Sequence, residues 1–370
     1  MCVEFMKRDS RLCRGDWIEV RSKEEILKTL DKNGQLDGLP FMPEMFEYCG
    51  RRFRVFKRAH KTCDPPNGIQ ARRMASAVHR EDLRCDGQAH GGCQAGCLIF
   101  WKGAWLKKAG KNEAATGAPA RVQHAVSPIP GESDQCTEGD VIAATRAGGS
   151  PPHCEEPAYA CQSTNLHRAT RPLKWWDPSQ YVEDYTSGNV RLSQMVASLA
   201  FFLYNNLAET GLGLGSAMRW TYDAFQKLRG GTLYPARMGK IRKGARTPAA
   251  RTNLMPGELV RVRSYREILE TLDEHWHNRG MYFDPEMVPF CGKTFRVLTR
   301  VQQIIDERRG TLLRFKSDAI ILESVTCQAR YSHCRRFCPR SIFPYWREIW
   351  LERLNENELV GTVPGERPRG

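Results

Sequence analysis

The sequence predicts an α+β protein made of two homologous small barrel-like domains, each with a cysteine metal site, and a helical middle region. Two observations lead to this prediction. Residues 15–58 align without gaps on residues 257–300, with 21 of 44 positions identical. Similarity at a fixed offset indicates that one structural unit is used twice. Each copy is also followed by a cysteine-rich run, CDGQAHGGCQAGC after the first and CQARYSHCRRFC after the second.

Each copy opens with a strand and a short helix. The segments GDWIEVRS and GELVRVRS alternate apolar and polar residues, as expected for a half-buried strand. Ser22 and Glu25 in the first copy, and Ser264 and Glu267 in the second, have the spacing of a capping box. In that motif the hydroxyl accepts a hydrogen bond from the first helical turn and the glutamate reaches back to the cap residue. A short helix should therefore begin after each serine.

Two further strands and an aromatic segment complete each predicted unit. The segments FRVFKR and FRVLTR have the pattern of a second strand, and a third strand is expected over residues 76–84 and 319–326. Beyond the cysteines, two tryptophans stand four residues apart in each copy, at Trp101 and Trp105 and at Trp346 and Trp350. This spacing predicts that they share one face of a helix and cover the metal site or the core.

The opening of the repeat resembles a known class of small domain. Gly15-Asp16-Trp17-Ile18-Glu19-Val20 is similar to the Gly-Asp-x-Val-x-Val start of small Src-homology-type barrels, including the one in the β subunit of nitrile hydratase. This resemblance implies a small β-barrel in each copy. The whole chain also resembles bacterial cysteine-rich proteins that carry the same double unit, and that resemblance implies no activity.

Composition divides the chain into six predicted segments. The region after the first repeat is rich in Ala, Gly, Pro and Ser without periodicity, and residues 190–209 and 216–228 have the pattern of two amphipathic helices. A stretch with six Lys or Arg and no acidic residue follows, typical of a solvated linker or a phosphate-binding arm. The segments are a first barrel-like repeat (1–108), a flexible or disordered insert (109–152), a helical middle region (153–235), a basic linker (236–256), a second barrel-like repeat (257–355) and a flexible tail (356–370).

Four cysteines at matched places in each copy are the predicted metal ligands. They are Cys49, Cys85, Cys93 and Cys97 in the first copy and Cys291, Cys327, Cys334 and Cys338 in the second. Four thiolates form the closed tetrahedral shell that structural zinc prefers, and the same set could hold an iron-sulfur cluster. The sequence favours zinc, with an iron-sulfur cluster as the alternative. A competing interpretation is that these cysteines are small buried core residues.

Five other residues are candidates for additional ligands, or for hydrogen-bond partners of the ligands: Cys63, His90, His333, Cys154 and Cys161. The two histidines precede the next cysteine by three residues in one copy and by one in the other, which argues against an identical role. Cys63 has no cysteine counterpart in the second copy. The spacing from Cys154 to Cys161 equals that from Cys327 to Cys334, so the former pair could belong to a third cluster or be a chance match.

Net charge and cysteine content indicate the type of partner and the cellular compartment. A net charge of +14 favours an anionic partner, either nucleic acid or a phosphorylated molecule. The chain has neither an apolar leader nor a stretch long enough for a transmembrane segment, so we expect a cytoplasmic protein whose 14 cysteines are reduced. The sequence leaves the oligomeric state open.

No motif identifies a reaction. The chain has no phosphate loop, no His-Glu-x-x-His and no Gly-x-Ser-x-Gly. The sequence therefore favours a metal-binding protein that acts in binding or as a scaffold. Two alternatives are a metal-dependent or redox enzyme that uses the first-repeat cluster, and a nucleic-acid-binding protein.

Overall fold

A computed structural model describes residues 11–65, 70–110, 135–146, 157–210, 213–242, 244–332 and 334–354. These residues form small antiparallel sheets with few helices, which confirms the α+β class. The chain divides into two compact units. Unit 1 comprises Met1–Ser198, Gln303–Arg314 and His333–Ile342, and unit 2 comprises Leu199–Gln302, Phe315–Ser332 and Phe343–Gly370.

Most strands of unit 1 belong to small three-stranded sheets. The first sheet has the order β10-β1-β4, with β1 at Trp17–Val20, β4 at Arg52–Arg54 and β10 at Leu106–Lys108. The second has the order β5-β8-β9, with β5 at Lys57–Arg58, β8 at Ala77–His79 and β9 at Trp101–Lys102. The third has the order β11-β7-β6, with β6 at Lys61–Asp64, β7 at Gln70–Met74 and β11 at Thr170–Pro172. A hairpin joins β2 (Gln35–Leu36) and β3 (Leu39–Pro40).

The second copy of the repeat has one larger sheet. Its order is β16-β15-β12-β17, with β12 at Leu259–Val262, β15 at Thr294–Ile305, β16 at Leu312–Leu322 and β17 at Leu351–Arg353. A hairpin joins β13 (His277–Asn278) and β14 (Met281–Tyr282), at the positions matched to β2 and β3. Barrel closure in each copy stays a prediction.

Seven α-helices lie in the described ranges. They are α1 (Lys23–Leu27), α2 (Glu138–Ala144), α3 (Leu166–Ala169), α4 (Pro178–Thr186), α5 (Leu192–Glu209), α6 (Gly215–Arg229) and α7 (Tyr265–Leu269). Both predicted capping boxes are present, at Ser22 before α1 and at Ser264 before α7. Helices α5 and α6 confirm the two predicted amphipathic helices, and Gly230 ends α6 in the left-handed conformation. None of the helices described has the length and apolarity needed to cross a bilayer.

Helix α2 lies inside the range expected to be flexible. Thr137 caps it, because its hydroxyl accepts a hydrogen bond from the Asp140 amide while the Asp140 carboxylate accepts one from the Thr137 amide at 2.8 Å. Glu138 forms a 2.7 Å ion pair with Lys23, and Val141 is buried in the core of unit 1. The range is rich in small residues, which is typical of a flexible segment, but it also contains a capping box, and the burial of Val141 further stabilises the helix.

The tryptophan segment is buried as predicted, but it is not an α-helix. Trp101 lies in β9, where it pairs with Val78, and Trp105 ends a single 3₁₀ turn. Strand pairing holds Trp101 in extended backbone, so the four-residue spacing does not place the two rings on a helical face. The indole of Trp105 is fully buried and donates a 3.1 Å hydrogen bond to Thr29.

Unit 2 repeats this arrangement at the matched positions. Trp350 is also fully buried, and its indole donates a 2.9 Å hydrogen bond to Thr271. Its ring meets Phe283 edge-on at 5.2 Å between centroids. The tryptophans, with the apolar residues of the opening strand and the capped helix, therefore form the centre of each core.

Candidate metal centre

The loop from Cys85 to Cys97 folds back on itself, which brings its cysteines close together. The Cys85 amide donates a 2.8 Å hydrogen bond to the Cys97 carbonyl. Gly87 has a φ of +74°, and a Cβ atom there would lie 1.9 Å from the Cys93 carbonyl oxygen. Glycine is thus required at this turn for both its backbone conformation and its lack of a side chain.

A fourth thiol, Cys161, approaches the same group from the turn before α3. Burial raises the pKa of Cys161 to about 12, and the neighbouring Cys97 and Cys93 add to this rise. Burial also raises the pKa of Cys85, with further contributions from Glu44, Cys97 and Cys161. The same two causes, burial and then Cys97, raise the pKa of Cys93. Cys97 therefore interacts electrostatically with all three of the other thiols.

Backbone amides point at three of these sulfur atoms. Hydrogen bonds from the backbone of Gly87 to Cys85, and from Ala95 to Cys93, act to lower the pKa of each thiol. The Ile305 amide also donates to the Cys93 sulfur at 3.3 Å. Thr164 and Ser163 supply the equivalent donors for Cys161. Because such donors favour the charged form of a sulfur ligand, the backbone is arranged to stabilise thiolates that burial alone disfavours.

Two arginines next to Cys97 supply positive charge. Arg84 donates a 2.7 Å hydrogen bond to the Gly96 carbonyl and interacts electrostatically with Cys97. Buried Arg340 also interacts with Cys97, and it donates a 2.8 Å hydrogen bond to the Ser163 hydroxyl. That hydroxyl in turn lies 3.5 Å from the Cys97 sulfur. Arg340 also forms an ion pair with Glu307, and positive groups near Cys97 offset part of the negative charge that several thiolates would carry.

His90 and Glu44 lie beside Cys85. The His90 Nε2 atom is 3.6 Å from the Cys85 sulfur, and burial lowers the pKa of His90. Its other ring nitrogen is buried without a hydrogen-bond partner among the described residues. Both carboxylate oxygens of Glu44 are buried and accept no well-formed hydrogen bond in the described part of the chain. Burial raises the pKa of this carboxyl group, and an interaction with the Cys85 thiol lowers it by less. Buried polar atoms without partners mark a place where a cation would be stabilised.

The fourth predicted ligand of the first copy lies in different surroundings. Burial raises the pKa of Cys49 to about 11, and the charged groups that act on it are Lys23, Glu24 and Glu138. The thiol of Cys63 forms its hydrogen bond with Cys338.

The cysteines predicted for the second site are divided between the two units. Cys291 and Cys327 belong to unit 2, whereas Cys334 and Cys338 belong to unit 1. Burial raises the pKa of Cys291 to about 12. His333 and Cys154 lie outside the described residues. The second site therefore stays a prediction.

In the ranges that the structure describes, no three His, Cys, Asp or Glu side chains already stand as a group that could hold a metal ion. The thiols around Cys97 are neighbours within one buried region, but their sulfur atoms do not converge on one point. Binding an ion there requires the four sulfur atoms to draw together.

Sequence reasoning missed Glu44 and gave Cys161 only a secondary place. Glu44 had a signal, since it is identical to Glu286 at the matched position of the second copy. Cys161 had none strong enough, because it lies far along the chain and outside the repeat. Only the folding of unit 1 places it beside Cys97.

No protein-family model matches the chain, and no curated protein or solved structure matches it. Function is therefore inferred from the chemistry of the site.

Proposed function

We propose that the protein binds a thiophilic metal ion, with zinc favoured, through the thiols of Cys85, Cys93, Cys97 and Cys161. The observation that carries the proposal is geometric: the Cys85 amide donates to the Cys97 carbonyl at 2.8 Å, and Ser163, two residues after Cys161, lies 3.5 Å from the Cys97 sulfur. Three of the four also accept backbone N–H groups. Four thiolates are the donor set of structural zinc, and they are equally the donor set of an iron-sulfur cluster.

A bound cation would reconcile two opposing effects that act on these thiols. Burial keeps these thiols protonated, while backbone amides and the arginines beside Cys97 favour the thiolate form. A divalent ion neutralises the buried negative charge and deprotonates its ligands outright. His90 Nε2, which lies 3.6 Å from the Cys85 sulfur, then donates a hydrogen bond to the thiolate.

The ion would act by holding the fold of unit 1 together. Cys85 and Cys97 lie at the two ends of one loop, and Cys161 lies at the turn that begins α3. Drawing their sulfur atoms onto one ion joins elements that are distant in sequence. Metal binding of this kind contributes directly to folding free energy. This supports a binding or scaffold role for the protein.

Thiol-based catalysis has less support. A reactive cysteine needs a depressed pKa and access to solvent. In this group burial raises the pKa of Cys85, Cys93 and Cys161 instead. Binding of nucleic acid by the basic linker also has less support. Two of its basic residues are already in ion pairs, Arg237 with Asp223 and Lys240 with Glu270, the latter at 2.8 Å.

The test is metal analysis of protein purified without oxygen, together with its absorption spectrum. We expect about one zinc ion per chain at unit 1 and no visible absorbance. Cys161→Ser should lose this ion, whereas Cys49→Ser should keep it. Cobalt substitution should give thiolate-to-metal charge-transfer bands in the wild type and in Cys49→Ser, and weaker bands in Cys161→Ser.

Three results would change the proposal. Retention of metal by Cys161→Ser with loss in Cys49→Ser would restore the ligand set expected from the repeat alone. Detection of iron and acid-labile sulfide would mean that the site holds an iron-sulfur cluster instead of zinc. If the protein is freed of metal and then unfolds at the same denaturant concentration whether or not zinc is added, metal binding is rejected altogether.

A further inference from the structure

Unit 2 contains a cavity of about 250 Å³ with a strongly basic wall. Five basic side chains line it: Arg251, Arg279, Arg300, Lys316 and Arg347. Two acidic side chains, Asp318 and Glu348, line it as well. The wall therefore has a surplus of positive charge, which favours an anionic ligand.

Both acidic groups are already engaged. Arg300 donates to Asp318 at 2.9 Å and to Glu348 at 2.8 Å. Glu348 also accepts hydrogen bonds from the backbone amides of the segment that leads into β12, including that of Thr252 at 2.7 Å. Arg279 and Arg347 have no acidic partner among the described residues.

The first copy of the repeat has a different pair of residues at the positions of Arg279 and Arg347. In the alignment Asp37 matches Arg279, because each follows the first strand of the short hairpin. Lys102 matches Arg347, because each directly follows the first tryptophan of its segment. In unit 1, Lys102 and Asp37 form an ion pair at 3.1 Å. In unit 2 the same two places hold two positive charges.

These two arginines are held close together. Arg347 donates a 3.0 Å hydrogen bond to the Arg279 carbonyl and a 2.8 Å one to the Ser317 hydroxyl. Its Nε atom is buried and has no hydrogen-bond partner within the described ranges. Burial lowers the pKa of Arg347, and the charge of Arg279 lowers it further. Arg279 itself has a φ of +46°, an uncommon conformation for a residue with a long side chain.

We propose that this cavity binds a small phosphate-bearing molecule, whose phosphate group contacts Arg279 and Arg347. A dianion between the two guanidinium groups would replace the Asp37 carboxylate of the first copy as the counter-charge. Planar guanidinium groups suit the tetrahedral oxygens of phosphate, to which they bind in a bidentate manner. The cavity has room for a phosphate with a small organic group, and it is smaller than most sites for drug-sized ligands.

The test uses the full chain, with isothermal titration by inorganic phosphate and by glycerol 3-phosphate near neutral pH. We expect both to bind with a Kd below about 1 mM, and the affinity to fall as salt rises. Tighter binding of the ester would show that the organic group is recognised. Equal affinities would identify the phosphate group alone as the ligand.

The decisive variant is Arg279→Asp, which recreates the pair seen in unit 1. Aspartate tolerates a positive φ, so the hairpin should keep its fold. We expect phosphate affinity to drop by about tenfold or more, with a thermal midpoint equal to or above that of the wild type. Arg266→Asp, at an exposed residue of unit 2 outside the cavity lining, is the charge-matched control, and it should leave phosphate binding unchanged.

Two results would overturn the proposal. One is absence of binding to either probe, or binding only to a single-stranded oligonucleotide. The other is an Arg279→Asp variant that is stable and still binds phosphate with wild-type affinity. Zinc content should be the same in all these variants, so the outcome is independent of the metal centre in unit 1.

Discussion

The thiol of Cys63, in β6, is hydrogen-bonded to the thiol of Cys338, which reaches unit 1 from the far end of the chain. Cys63 is 2 % exposed and Cys338 is 6 % exposed. The hydrogen bond and burial together raise the pKa of Cys63 well above its ordinary value. Arg340, two residues beyond Cys338, donates a 3.3 Å hydrogen bond to the Cys63 carbonyl and so holds the segment against the strand.

We expect Cys63→Ala to destabilise the protein by about 1 to 3 kcal/mol, because it removes the hydrogen bond between the two thiols and leaves a small cavity. Chemical denaturation measures this change. Cys13→Ala is the control, since Cys13 is only partly buried, and it should change stability by less than about 0.5 kcal/mol.

Alkylation provides a second readout of the same pair. Iodoacetamide should label Cys13 in the native protein, and Cys63 and Cys338 only after unfolding, because the thiolate is the reactive form. Rapid labelling of Cys63 in the folded state would contradict the buried, hydrogen-bonded pair.

Gly87→Ala should disrupt the Cys85–Cys97 loop. The new Cβ would meet the Cys93 carbonyl oxygen at 1.9 Å, so the loop has to open and the spacing of the thiols has to change. We expect a loss of stability of about 3 kcal/mol or more and a loss of bound zinc. Thermal unfolding and metal analysis measure the two effects.

Gly50→Ala is a matched control for this change. Gly50 has nearly the same φ, +73°, but nothing lies within 4 Å of a Cβ placed there. Its cost should be limited to backbone strain of about 1 kcal/mol. Equal effects of the two substitutions would show that strain alone, rather than the close approach of Cys93, explains the role of Gly87.

His79 should make stability depend on pH in the mildly acidic range. Burial lowers the pKa of His79 from 6.5 to about 3. One ring nitrogen lies 2.9 Å from the Ile99 carbonyl oxygen, and the other is buried without a partner among the described residues. Above the unfolded pKa the imidazole is neutral in both states. Below it the unfolded chain binds a proton that the folded protein excludes, so stability falls as pH falls towards the folded pKa.

From pH 7 to pH 5 this histidine should remove about 2 kcal/mol from the free energy of unfolding. His79→Gln keeps a donor for Ile99 and cannot titrate, so the loss over that interval should shrink. Denaturant titrations at the two pH values measure it. His275→Gln, at a side chain 63 % exposed, is the matched control for the substitution itself. An unaltered slope in His79→Gln would assign the acid sensitivity to other groups.

Glu286 and Glu44, at matched positions, should respond differently to substitution. The buried Glu286 carboxylate accepts hydrogen bonds from three successive amides, those of Arg330, Tyr331 and Ser332, at 2.9, 2.6 and 3.1 Å. Removing it leaves these amides without an acceptor, so Glu286→Ala should cost about 2 to 4 kcal/mol in metal-free protein.

Glu44→Ala should cost less than about 1 kcal/mol under the same conditions, because its buried oxygens accept no well-formed hydrogen bond in the described residues. Equilibrium denaturation of both variants in the presence of chelator tests the contrast. Equal costs would mean that Glu44 has a role in the metal-free fold that its contacts do not show.

The local elements could be predicted because their causes are local. The capping boxes at Ser22 and Ser264 need only residues within one helical turn, and Gly230 ends α6 by its own backbone freedom. The gathering of Cys85, Cys93 and Cys97 was also foreseeable, because a short loop with glycine at its turns keeps them close.

The sequence by itself determined the opening strand and the capped helix of each copy, which tryptophans are buried, and that three cysteines share one loop. Only the tertiary structure placed Cys161 near Cys97 and Cys49 near Lys23, Glu24 and Glu138, and it placed Arg347 on the Arg279 carbonyl where Asp37 and Lys102 of the first copy form an ion pair. The reason is physical. Hydrogen bonds within a turn depend on neighbours in sequence, whereas burial and electrostatic coupling depend on residues that only the folded chain brings together.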